Sequence, residues 1–109
     1  MAIAETPRYR ADAAKLLSEA EQEAVVEMIA RDPTCGDVME GTGGVRKVRF
    51  ALPGRGKSGG ARVIYYFHSD AMPAYLLSIF SKNEKANLSK TERNALARLV
   101  ELLKRAQGR

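Results

Sequence analysis

Residues 43–62 read GGVRKVRFALPGRGKSGGAR, and the fold is decided by how this stretch is read. As a strand, residues 45–51 send Val48 and Phe50 to one face and Lys47 and Arg49 to the other, because side chains alternate with period two. One face suits a core and the other suits an anion. Residues 52–61 then hold four glycines, a proline, Arg55 and Lys57, the composition of an exposed loop rather than of a packed element. From Arg62 onward the run RVIYYFH (62–68) is β-branched and aromatic, so the loop joins two strands.

That junction excludes one function class. The run GRGKSGG ends in the Gly-Lys-Ser of a phosphate-binding loop, but the motif needs a glycine five residues before its Gly-Lys pair, where Ala51 stands. It also needs a helix to follow, with its N-terminus facing the phosphates. A flexible hairpin connection is the better reading.

Working outward, Val63, Tyr65 and Phe67 share the apolar face of the second strand, leaving Arg62, Ile64, Tyr66 and His68 opposite. Residues 69–73 read as a connection and 75–82 as a third strand, with Tyr75, Leu77 and Ile79 expected inward and Leu76, Ser78, Phe80 and Lys82 on the other side. Residues 36–44, with four glycines, read as a loop that returns the chain to the sheet and approaches other backbone closely. Upstream, Thr6 and Pro7 open a short helix to about Leu17. Ser18 with Glu21 forms a capping box for a second helix that Pro33 stops near Arg31. A segment at residues 1–5 could form an edge strand. Downstream, Ser89 with Glu92 caps a last helix whose stripe is Leu96, Leu99, Val100 and Leu103. The expectation is an α+β fold: an N-terminal helical hairpin covers one side of a mainly antiparallel sheet, and a C-terminal helix lies on a sheet margin beside the cationic side.

A chain of 109 residues, 45% hydrophobic, is expected to form a single domain over 1–109 with a core that needs no staples. One cysteine, Cys35, rules out an internal disulfide. With no secretory signal and no long apolar run, the cytoplasm is the expected compartment and no membrane is expected as partner. Net charge is +5, unevenly spread: residues 1–42 carry four Lys and Arg against nine Asp and Glu, residues 43–90 nine against two, and residues 91–109 five against two. A basic middle on an acidic first third points to one face built for a polyanion, with a merely solvated basic face as the alternative.

Two segments together carry a resemblance: GTGGVRKVRFALPGRGKSGGARVIYYF, with its GxGKSGGxR loop, and LLSIFSKNEKANLS. With the preceding TPRYRADAAKLLSEAEQEAVVEMIARDP they resemble the RelE/HigB group of the RelE/ParE superfamily, the toxins of type II toxin-antitoxin systems. The resemblance spans nearly the whole chain. It implies a RelE-like fold and a metal-independent endoribonuclease that cuts mRNA on the ribosome. Its expected partner is a cognate antitoxin, of the helix-turn-helix, HigA-like kind, through which alone DNA would be met. The catalytic positions it carries over are Lys47, Arg49, Arg62 and Lys82, the four that alternation also gathers. Arg46, Arg55, Lys57, Tyr66, Phe80 and Lys85 are the accompanying candidates for RNA binding. Similar toxins more often have arginine at Lys82, and place a base-stacking tyrosine where Leu88 stands, which moves that role to Tyr66 or Phe80. A ParE-like gyrase inhibitor and a plain RNA-binding module are the rival functions.

The cationic face offers no carboxylate pair or histidine cluster for a metal, and neither metal nor cofactor is expected. RNA supplies its own nucleophile in the 2′-hydroxyl, so a protein need only orient it, stabilise charge and move protons. Like charge disfavours a lysine's protonated form, which nominates Lys47 as base, with Lys82 as the other proton carrier and His68 as a weaker alternative. Arg49 and Arg62 suit the clamp on phosphate oxygens.

Overall fold

A computed structural model describes residues 2–52, 60–82, 84–85 and 87–107. The three alternating stretches are the centre of a five-stranded sheet: β3 (Val45–Phe50), β4 (Ala61–Tyr66) and β5 (Ala74–Ser81), paired antiparallel in sequence order. β1 (Ile3–Glu5) joins β5 in parallel at one edge, and β2 (Asp37–Val38) joins β3 at the other, for an order β1-β5-β4-β3-β2. Most of the 52–61 connection, with Arg55 and Lys57, lies outside the described residues. Its closing glycine is constrained: Gly60 has φ +80°, and a Cβ there would lie 2.3 Å from the Phe50 carbonyl oxygen.

The helices begin where their caps predict. α1 (Pro7–Leu16) starts after Thr6, whose hydroxyl accepts from the Tyr9 N–H and donates to the Leu76 carbonyl, tying the helix start to β5. α2 (Glu19–Arg31) starts at the reciprocal Ser18–Glu21 box. Both lie on one side of the sheet, where Tyr9, Ala13, Leu17, Val25 and Ile29 pack on Val63, Tyr65, Leu76 and Ile79. Burial, and then the charge of Glu5, pushes the Tyr9 hydroxyl up to about 12.

The loop after α2 is fastened from the same side. The Tyr65 hydroxyl donates to the Pro33 carbonyl at 2.8 Å and accepts from the Gly36 N–H at 2.9 Å. Gly36 fits because nothing larger would: a Cβ there would lie 2.8 Å from the Lys47 carbonyl oxygen and 2.9 Å from the Tyr65 ring. The close backbone approach expected of this glycine-rich loop is present. Directly after Gly36 the loop also contributes the two-residue β2, which glycine content had hidden.

Two expectations need correction. In β5, Ala74, Leu76 and Ile79 face the helical hairpin, while Tyr75, Leu77 and Phe80 face the other way. Strict alternation fails because the β4–β5 register slips between Ile64, opposite Ser78, and Tyr65, opposite Leu76, leaving Leu77 as an extra residue. Such a bulge reverses the phase of every side chain on one side of it. Second, α3 (Lys90–Gln107) is not confined to a margin. Its stripe of Leu96, Leu99, Val100 and Leu103 covers a second core on the opposite side of the sheet, made by Met39, Val45, Ile64, Tyr66, Met72, Leu77 and Phe80.

Candidate nucleic-acid interface

The register of the central strands gathers the cations. Lys47 stands opposite Ile64, and Arg49 directly opposite Arg62, which in turn stands opposite Phe80. Lys47, Arg49 and Arg62 therefore share the α3 side of the sheet, and the two opposed arginines concentrate positive charge near the end of the β3–β4 ladder. Arg49 is exposed, and Lys47 and Arg62 are half-buried. Lys82 follows β5 directly and is exposed, its backbone N–H bonded to the Gly60 carbonyl at 3.2 Å.

Between this sheet face and the start of α3 lies a narrow cleft lined by Lys47, Arg62, Ile64, Phe80, Leu88 and Arg93, together with Met39 and Asn87. Its free volume is about 10 Å³, roughly room for one water. The half-open cleft expected from the sequence is thus nearly filled, because α3 packs down onto Phe80 and Ile64. The segment leading into the helix is held by two more reciprocal serine–glutamate pairs. Ser81 and Glu84 bond each other's backbone N–H groups, as do Ser89 and Glu92. The second pair was legible as a capping box; the first closes a single turn that no long helix announces.

Several candidates for RNA contact stand elsewhere. Arg46 points to the helical-hairpin side by strand alternation, and its guanidinium donates to the Gly36 carbonyl at 2.7 Å, so it clamps the loop after α2 rather than joining Lys47. Tyr66 and Phe80 are core residues, 1% and 6% exposed, and with α3 in place neither ring offers a face to a base. Lys85 pairs with Glu92 at 2.5 Å and lies 5.0 Å over the Phe80 ring. That hydrogen bond, with one from the Ser89 N–H, holds the Glu92 carboxyl below its usual value. His68 is exposed and stacks on Tyr66, away from the cleft. Leu88 is half-buried in the cleft wall.

Arg93 is the residue that sequence reasoning passed over. It lies three residues before Leu96 and seven before Val100, on the helix stripe that those residues bury, and a cation on an otherwise apolar stripe was the available signal. The chain matches, over residues 15–108, the family described as the RelE toxin of the RelE/RelB toxin-antitoxin system. It belongs to the RelE toxin family. This RelE-family toxin is therefore one half of a toxin-antitoxin system, with an antitoxin as its partner. The match runs from the last turn of α1 to the end of α3, so it includes α2, all three central strands and every cation described above. Among the toxin's described residues, no helix is long and apolar enough to cross a membrane.

Proposed function

We propose that this RelE-family toxin is a ribosome-dependent endoribonuclease that cuts mRNA by internal 2′-hydroxyl attack, without a metal ion. The observation that carries the reading is the register: Arg49 and Arg62 directly opposed, with Lys47 two residues along on the same face. The cleft under α3 is nearly filled, so an RNA backbone would meet these cations along the rim. Lys47 takes the proton of the 2′-hydroxyl, whose oxygen attacks the adjacent phosphorus. The bond from phosphorus to the 5′-oxygen breaks, and Lys82 returns a proton to the leaving oxygen, giving a 2′,3′-cyclic phosphate and a 5′-hydroxyl. Arg49 and Arg62 hold the non-bridging oxygens as charge accumulates, each contributing about 2.7–4 kcal/mol on the scale of oxyanion-type donors. The proposed partners are mRNA on the ribosome in the cytoplasm and a HigA-like helix-turn-helix antitoxin, through which operator DNA is met.

The test is to add the purified toxin to a translation reaction and map message 5′ ends. Cuts within ribosome-covered message, bearing 5′-hydroxyls and insensitive to chelator, are expected. Intact message with linearised plasmid in a gyrase reaction would replace this reading with the gyrase-inhibitor one, and retention of RNA without cuts would reduce it to a binding module.

A further inference from the structure

α3 carries more apolar surface than the sheet beneath it covers. At about 100° per residue, Leu96, Val100 and Leu103 lie on the arc that packs on the second core, and Val100 is fully buried there. The neighbouring arc of the same helix holds Ala95, Leu99, Leu102 and Ala106, which recur at intervals of four, three and four residues. That alternation is the spacing of a seam between two helices. Ala95, Leu102 and Ala106 are exposed and Leu99 is half-buried. Leu102 and Val38 are the large hydrophobic residues left exposed among those described, and only Leu102 belongs to such a repeat. The seam is about 17 Å long, three helical turns.

Its borders are charged with one sign. Arg98 and Arg105, two turns apart, flank it on the solvent side; both are exposed, and neither makes a hydrogen bond or ion pair with a described residue. On the other flank Glu92 is already paired with Lys85. Glu101 falls about 100° round the helix from Leu102, away from the seam. We propose that this seam docks an acidic amphipathic helix of the antitoxin, whose leucine-type residues cover Leu99 and Leu102 and whose carboxylates meet Arg98 and Arg105. The inference rests on the family, which supplies the partner, and not on the ribonuclease reading. A second copy of the chain fits less well, because antiparallel pairing of two such seams sets Arg98 of one against Arg105 of the other, and like charges across an interface are repulsive. Nucleic acid would take the arginines but has no use for the exposed leucine between them. A helix laid along an apolar stripe with opposite charges at its edge satisfies both features.

The experiment compares the co-purified toxin–antitoxin complex with the toxin alone. Amide hydrogen exchange within residues 95–106 should slow about tenfold or more in the complex, since a docked helix suppresses local opening. Two synthetic three-heptad helices probe the charge, both with leucine at a and d, one with glutamate and the other with lysine at e and g. The toxin should bind the glutamate helix about tenfold more tightly at low salt, and the double variant Arg98→Glu with Arg105→Glu should lose or invert that preference. Leu102→Glu should weaken binding of antitoxin and of the glutamate helix about tenfold or more, while Leu102→Met retains both. The melting midpoints of all three variants should match wild type, because these side chains are exposed in the free toxin. Exchange in 95–106 unchanged by the antitoxin, equal affinity for the two helices, or antitoxin binding indifferent to Leu102→Glu would each overturn the proposal. A toxin that sediments alone as a dimer, and as a monomer once Leu102→Glu is made, would assign the seam to a second copy instead. Ribosomal RNA binding that falls with the arginine reversals while antitoxin binding holds would assign the ridge to RNA.

Discussion

The two sides of the sheet are built from alternate residues of the same strands, yet they are used differently. On the helical-hairpin side, Tyr9, Ala13, Val25 and Ile29 close over Val63, Tyr65 and Leu76, and every one of these is at most 1% exposed. On the other side, the single helix α3 buries Val100 fully, leaves Leu96, Leu99 and Leu103 half-buried and Leu102 60% exposed. Arg49 stays exposed, while Lys47 and Arg62 are half-buried in the narrow cleft at the start of the helix. One side carries the stability of the fold. The other gives up part of its possible burial to keep cations at a surface.

That difference can be broken by removing apolar groups from each side. Ile29→Ala should cost about 2–5 kcal/mol, as for other buried isoleucines. Leu99→Ala, on the half-buried stripe of α3, should cost about 1–2 kcal/mol, half or less of a full burial. Chemical denaturation of both variants against wild type measures the contrast; equal losses would mean that α3 is as essential to the fold as the hairpin.

Adjacent tyrosines of β4 give a finer test, because Tyr65 and Tyr66 point to opposite sides. Tyr65→Phe removes the donor to the Pro33 carbonyl and the acceptor of the Gly36 N–H, leaving two backbone groups without their partner, and should cost about 1–3 kcal/mol. The Tyr66 hydroxyl is buried with no hydrogen-bond partner among the described residues, so Tyr66→Phe should leave stability unchanged or raise it by up to about 1 kcal/mol. Melting curves of the two variants decide it, and a larger loss for Tyr66→Phe would reverse the assignment.

The smallest effect expected is one of pH, and it belongs to the α3 side alone. Glu92 has its carboxyl lowered from 4.5 by the hydrogen bond from Lys85 and by that from the Ser89 N–H. A depressed carboxyl contributes stability that is fully present above the unfolded value, and that is lost as pH falls through the lower folded one. Wild type should therefore lose more stability than Glu92→Gln as pH drops below 4.5, and the two should run parallel above it. Melting midpoints across that range measure this, and parallel curves throughout would remove the Lys85–Glu92 pair as a fastening of the helix start.

Much of the framework is legible in the sequence because it is written locally. Thr6 with Pro7, Ser18 with Glu21 and Ser89 with Glu92 each mark a helix start by a hydrogen bond made within three residues. Alternation through 45–50 and 61–66 is enough to bring Lys47, Arg49 and Arg62 to one face. What escapes depends on distant partners. The extra residue at Leu77 has no composition of its own, since a bulge is defined by the register against β4, and it inverts the expected faces of Tyr75, Leu76 and Leu77. Arg46 reads as one more cation of a basic strand, and only the return of Gly36 beside it shows that it serves the loop. Alternation puts Tyr66 and Phe80 on the correct side, but α3, a later element of the chain, decides that they are core. Arg93 is hidden by its charge on a stripe otherwise read from its leucines.

The claim on which the functional account turns is that the cations of the α3 side do chemistry rather than hold the fold, and Arg62, opposite Arg49 on that face, is the residue to ask. The measurement is a matched pair on Arg62→Ala and Arg62→Lys: a melting curve, and mRNA cleavage in a translation reaction. Cleavage by Arg62→Ala should fall about 10²–10³-fold, the loss of one charge-stabilising donor, with Arg62→Lys recovering only part because an ammonium lacks the planar fork, and both midpoints should stay within a few degrees of wild type, about 1 kcal/mol or less. An Arg62→Ala protein that cuts as well as wild type, or that loses activity only in proportion to unfolding, would contradict the account.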